Sequence, residues 1–112
     1  MRIHRADDLI MAVGELQQTK PHAHHALQVV LRPQGDSGGL DVDGSEVSSG
    51  LTLVGSRVRH SLSMSAGALV LCPPESSLGR YWCQTHLSDC PFAHFSSLPS
   101  GEDLFSTVFE VL

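Results

Sequence analysis

The apolar positions of this chain mostly follow a period of two. Val58, His60, Leu62 and Met64 alternate with Arg59, Ser61, Ser63 and Ser65, the pattern of a strand with one buried and one wetted face. Ala68 to Cys72 is apolar throughout, which predicts a central strand, with a turn at Gly67 before it and Pro73-Pro74 after it. Leu51-Thr52-Leu53-Val54 is a strand closed by Gly55. Leu40-Asp41-Val42 runs into Asp43-Gly44, a strong hairpin signal, with a weak return strand at Glu46 and Val47. Near the start, Ile3 and Leu9 to Val13 predict one or two short strands around Asp7-Asp8, and Gly14 breaks the second. Glu15 to Lys20 is polar and fits a short edge strand or a loop.

The period changes after Pro74. Ser76 to about Leu87 carries no alternation and predicts a helix that Pro91 ends. Ser100-Gly101-Glu102-Asp103 has the form of an N-cap followed by acidic residues. Phe105, Val108, Phe109 and Leu112 then fall at helical spacing. The expected fold class is mainly β: about seven to nine short strands in a sandwich or small barrel, then one or two C-terminal helices. With no internal repeat and no long linker, residues 1–112 are expected to form one domain, a barrel over about 1–74 and a helical tail over about 75–112.

The segment Pro21 to Leu31 bears most on chemistry. It holds three histidines within four positions and runs straight into a β-branched stretch that Pro33 and Gly35 end. Read as one strand, it points His22, His24, Ala26, Gln28 and Val30 one way and His25, Leu27, Val29 and Leu31 the other. Both faces are apolar beyond the histidines, so both must be covered. The C-terminal helices or a second copy of the chain would do this, and a homodimer is expected on the latter ground.

Composition narrows the function classes. The 112 residues carry a formal charge of −5 with only seven Lys and Arg, against a nucleic-acid surface. No apolar run reaches membrane-spanning length. The N-terminus lacks the apolar core of a signal peptide, so a cytoplasmic location is expected. Three cysteines do not make a disulfide framework. There is no Gly-x-Ser-x-Gly, no phosphate-binding glycine loop and no acid pair in the candidate pocket.

His60, on the buried face of its strand, is the fourth candidate. In a small barrel the inward faces of different strands meet, so His22, His24, Gln28 and His60 converge on one ligand-binding pocket. His22, His24 and His60 are the candidate metal ligands, with Gln28 as a weaker fourth. A second set, Cys83, His86, Cys90 and His94, has zinc-ligand residue types, but Pro91 interrupts it and its spacing is not that of zinc fingers. Buried thiols under a helix are the expectation there.

His22-x-His24-x-x-x-Gln28 with the later Gly35 resembles the first motif of the cupin superfamily, and Gly50 to His60 resembles the second, which supplies the last histidine. From about Met11 to Arg80 the chain looks most like the cupin-type sensor domain of AraC-type transcription regulators. The resemblance implies a small cupin-like barrel or jelly roll that binds a small-molecule ligand in a histidine-lined pocket. The DNA-binding half that such regulators carry downstream is not among these 112 residues, so direct binding of nucleic acid by them is not expected. The alternative it implies is a metal-dependent enzyme of dioxygenase or isomerase type on the three histidines. The family's metal-binding glutamate is Gln28 here, and the second motif's proline and glycine appear as Gly55 and Arg57. Three imidazoles and an amide leave a divalent charge uncompensated, which favours nickel, zinc, iron or copper over harder ions.

Overall fold

The strand β3 (Leu27–Arg32) is buried at all six residues. It lies inside the sheet and carries apolar side chains on both faces. The computed structural model describes residues 1–6, 8–96, 108 and 112. β3 pairs antiparallel with β6 (Gly50–Val54) on one side and β7 (His60–Cys72) on the other. Beyond β7 come β2 (Leu9–Leu16) and β1 (Arg2–Ala6), and beyond β6 comes β8 (Phe92–Phe95). The path β1-β2-β7-β3-β6-β8 ends in edges at β1 and β8, so this sheet is not closed. β4 (Gly39–Val42) and β5 (Ser45–Val47) form a hairpin whose β4 joins the first half of β7. The mainly β class is as expected.

The hairpin is the one the dipeptide predicts. Val42 pairs with Ser45, and the two turn residues, Asp43 and Gly44, both have positive φ, 52° and 86°. That is the backbone a two-residue turn needs to match strand twist. The Gly44 N–H is held by Asp41 Oδ1 at 3.0 Å.

Four expectations change. Gly67 is not a turn: β7 runs unbroken through it for 13 residues. A Cβ on Gly67 would lie 2.4 Å from the Leu31 carbonyl oxygen, so glycine serves a close approach of two backbones. Gly14 does not end β2 either; the pairing with β7 continues to Leu16 after a register shift. That shift puts one extra residue on β7 between Met64 and Gly67, a bulge that exchanges the strand's faces. Leu62 therefore packs into one core, and Val70 and Cys72, in the same sequence phase, pack into the other. The third change concerns the histidine-rich strand, which begins only at Leu27; His22 to Ala26 is a loop. Fourth, the tail is not wholly helical. After α1 (Ser77–His86) the chain returns as β8, adding an edge to β6. The expected cap at Ser100 to Asp103, with Phe105 and Phe109, lies outside the described residues, as does Asp7. Of that segment, Val108 is buried, and its carbonyl accepts the Leu112 N–H at 3.0 Å.

Two apolar clusters flank β3. One gathers Leu27, Val29 and Leu31 with Leu51, Leu53, Val70 and Cys72 under Trp82 and Val108. The other gathers Val30 with Leu40, Val42, Val47, Val54 and Leu62. The strip of Leu27, Val29 and Leu31, from which a homodimer was expected, is thus covered within one chain. α1 provides much of the cover. It is capped by Ser76, whose Oγ accepts the Gly79 N–H at 3.0 Å and donates to the Pro73 carbonyl at 2.8 Å. Among the described residues no helix is long and apolar enough to cross a membrane.

Candidate metal centre

His22 and His60 face each other across an isolated antiparallel bridge. The His22 N–H donates to the His60 carbonyl at 2.9 Å, and the His60 N–H returns to His22 at 2.8 Å. Thr19 extends this pairing: its N–H meets the Leu62 carbonyl at 2.9 Å and its Oγ1 accepts the Leu62 N–H at 3.0 Å. The His24 carbonyl accepts the Arg57 N–H at 2.7 Å. The loop that replaces the expected strand is therefore pinned at both histidines. Gln28 joins them from β3 and is buried.

The three imidazoles form a cluster. His22, His24 and His60 each offer a ring nitrogen within 4.8 Å of the other two. Their ring centroids are 4.6 to 5.4 Å apart. Each Nδ1 faces a backbone carbonyl: His22 that of Lys20 at 2.7 Å, His24 that of Ala26 at 3.0 Å, His60 that of Val58 at 2.9 Å. A carbonyl only accepts, so each Nδ1 carries a proton there, and a ring with no second proton presents a bare Nε2. The Gln28 Oε1 lies 2.9 Å from His24 Nε2 and 3.2 Å from His60 Nε2.

Acceptors brought this close repel unless something positive lies among them. A cation would satisfy them, and so would an amide turned over to donate its two N–H bonds to the same nitrogens. The same four residues thus serve a loaded and an empty state. Carbonyls that fix the tautomer and aim the rings are the usual surroundings of metal-bound histidine. A tetrahedral site with bonds of about 2.0 Å needs donor atoms about 3.3 Å apart. The Gln28 contacts are already near that spacing, while the ring nitrogens, within 4.8 Å of one another, would draw inward on binding. Burial, aided by repulsion from His22 and His24, pushes the His60 pKa below its ordinary value against the bond to Val58. His60 is then neutral at neutral pH, as a ligand must be. His22 and His24 are half-buried and His60 is buried, so the centre opens toward solvent on the loop side. These histidines can hold a metal ion.

Other candidates lie apart from it. His25 turns outward to pair with Glu75, and Arg57 Nη2 donates to its Nδ1 at 3.5 Å. The set Cys83, His86, Cys90 and His94 is not assembled. Cys83 packs against the core with its thiol pKa raised by burial. The His86 ring meets Phe95 edge-on, Cys90 is exposed, and His94 lies between two hydroxyls.

Sequence reasoning missed the polar groups at the other end of β3. Arg32, buried, donates from Nη2 to the Val47 carbonyl at 2.8 Å and pairs with Asp36 at 3.6 Å. Asp36 in turn accepts from the backbones of Gly38, Ser65 and Ala66 and from Ser65 Oγ, which holds the bulge in β7. Beside it, His94 bridges Thr52 and Ser48. An arginine ending an otherwise apolar run is the one signal the sequence offers here. No family model, curated protein or solved structure matches the chain.

Proposed function

We propose that this chain is a small cupin-like, sensor-type domain whose pocket of His22, His24, Gln28 and His60 binds a divalent transition metal and, through it, a small molecule. The observation that carries the reading is the contact that every one of the three Nδ1 atoms makes with a backbone carbonyl. The Nε2 atoms of His24 and His60 meet beside the Gln28 carboxamide oxygen, and His22 brings a ring nitrogen within 4.8 Å of the other two. Nickel, zinc, iron and copper suit a donor set of three imidazoles and one neutral oxygen. The neutral Gln28, and a cluster that among the described residues contains histidines and no carboxylate, support binding over acid–base catalysis. The half-buried His22 and His24 favour a second reading, a metal-dependent dioxygenase or isomerase, because a catalytic metal needs an open side.

Elemental analysis of protein purified without a His tag, beside His60→Ala, tests the proposal. About one equivalent of metal that the variant lacks is the expected result. No uptake by the folded parent, after soaking with nickel, zinc, iron and copper in turn, would overturn it. Oxygen consumption by the loaded parent separates the enzyme reading from the sensor reading.

A further inference from the structure

The second histidine site has the arrangement of an activated nucleophile. Thr52 and His94 are direct cross-strand partners on β6 and β8, so their side chains share a face. Thr52 Oγ1 lies 2.8 Å from His94 Nδ1, and Ser48 Oγ lies 3.1 Å from His94 Nε2. Ser48, just beyond β5, is exposed, His94 is half-buried and Thr52 is buried. A nucleophile within reach of an imidazole that a third group orients is the layout on which hydroxyl nucleophiles are activated. Burial, together with the nearby positive Arg32, pushes the His94 pKa below its ordinary value. The ring is therefore neutral and able to accept a proton at neutral pH. Ser45 and Ser49, one on each side of Ser48 in the sequence, have no such bond to a histidine among the described residues.

We propose that Ser48 and His94 form a nucleophile–base pair, positioned by Thr52, that accepts acyl groups from small carboxylic esters with good leaving groups. In the proposed step His94 Nδ1–H donates to Thr52 Oγ1 and Nε2 accepts the Ser48 proton. Ser48 Oγ forms a bond to the ester carbonyl carbon, and the bond from that carbon to the leaving oxygen breaks. The proton passes from His94 to the departing alkoxide or phenolate. Water then attacks the acyl-Ser48 with His94 again taking the proton, which releases the carboxylic acid and restores Ser48. The site shares no residue with the metal centre, so each stands or falls alone.

The test is labelling of the full chain with a fluorophosphonate, which forms the Oγ–P bond and releases fluoride, followed by peptide mass spectrometry. One adduct on Ser48, none on Ser45 or Ser49, is expected. His94→Gln should slow labelling by about 100-fold or more, the usual worth of a general base. Thr52→Val should slow it as well, and Thr52→Ser should restore it, a rescue that a packing role alone would not give. Hydrolysis of p-nitrophenyl acetate should be lost in Ser48→Ala and kept in Ser49→Ala. The absence of a Ser48 adduct on the parent overturns the proposal. So does labelling at the parent rate in a His94→Gln protein whose circular dichroism shows it folded.

Discussion

Gln28 occupies the position at which the charge of the proposed metal site would be decided. Its oxygen faces two imidazole nitrogens, and an amide adds no charge to the set. Gln28→Glu should therefore tighten manganese(II) and iron(II) by about 10-fold or more and nickel or copper by less, because a carboxylate suits harder ions. Competition with a chromogenic chelator measures this; an unchanged order of affinities would show that residue 28 does not reach the metal. Asp36 makes the other residue-scale case. Burial alone would raise its pKa, but bonds from Ser65, Ala66 and Gly38 outweigh it and hold the carboxyl below its ordinary value. A depressed carboxylate stabilises the fold above its unfolded pKa of about 3.9. That stability is lost as the pH falls from there through the folded value. Asp36→Asn should cost about 2–3 kcal/mol at pH 7, and its deficit against the parent should shrink below about pH 4. Urea titrations at stepped pH would show a constant deficit if the charge were irrelevant. The pocket was legible in the sequence because three histidines and Gln28 lie close together in the chain and His60 lies in phase with Leu62 and Met64. The strand phase expected for His22 and His24 does not hold, since both lie in a loop that the bridge to His60 brings to the same place. Asp36 was not, because its partners at residues 65 and 66 are about thirty positions away and nothing periodic marks such a contact.

At the scale of elements, α1 acts as a lid on β3. Trp82 is 1% exposed and lies over the strip of Leu27, Val29 and Leu31. Trp82→Ala should cost about 3–5 kcal/mol, against about 1 kcal/mol for the cap change Ser76→Ala. Denaturation midpoints at constant m-value separate the two. Trp82→Ala also uncovers the apolar strip, so light scattering should report association in that variant and less in Ser76→Ala, whose Trp82 is intact. Equal costs would mean that the helix is held by its cap rather than its indole. The sequence shows why β3 needs two covers, since every residue from Leu27 to Leu31 except Gln28 is apolar. It does not show which elements supply them. β8 escapes notice because its four residues are all half-buried, without the in–out contrast that marks a strand. Gly67 misleads for a related reason. Glycine is the residue of turns and equally of close backbone approach, and only the neighbouring Leu31 carbonyl tells the two apart.

For the whole molecule, β3 separates two polar ends. Gln28 takes the histidine cluster at one end of the strand, and Arg32 takes the Asp36 cluster at the other, with His94 beside it. The Gln28 end is the less regular. The loop from His22 to Ala26 reaches the sheet through the His22–His60 bridge, the Arg57 bond and the outward His25–Glu75 pair. A metal held by His22 and His24 from this loop, His60 from β7 and Gln28 from β3 would add to the backbone bonds a further link among three chain segments. Binding to the folded chain alone stabilises it by mass action, about 2.7 kcal/mol at one hundred times the Kd. For a domain of about 100 residues each kcal/mol raises Tm by about 4–8 °C. Saturating nickel or zinc should therefore raise Tm by about 10 °C or more, and a chelator should reverse it. Amide exchange should slow first in residues 19–26 and 57–62, where the joined segments lie. His60→Ala should lose the shift. A parent whose Tm ignores metal, with the loop exchanging at the same rate in either condition, would leave the histidines as a hydrogen-bonded cluster in which Gln28 donates to both rings. An unchanged Tm together with measured uptake would instead place the metal on the unfolded chain as tightly as on the folded one.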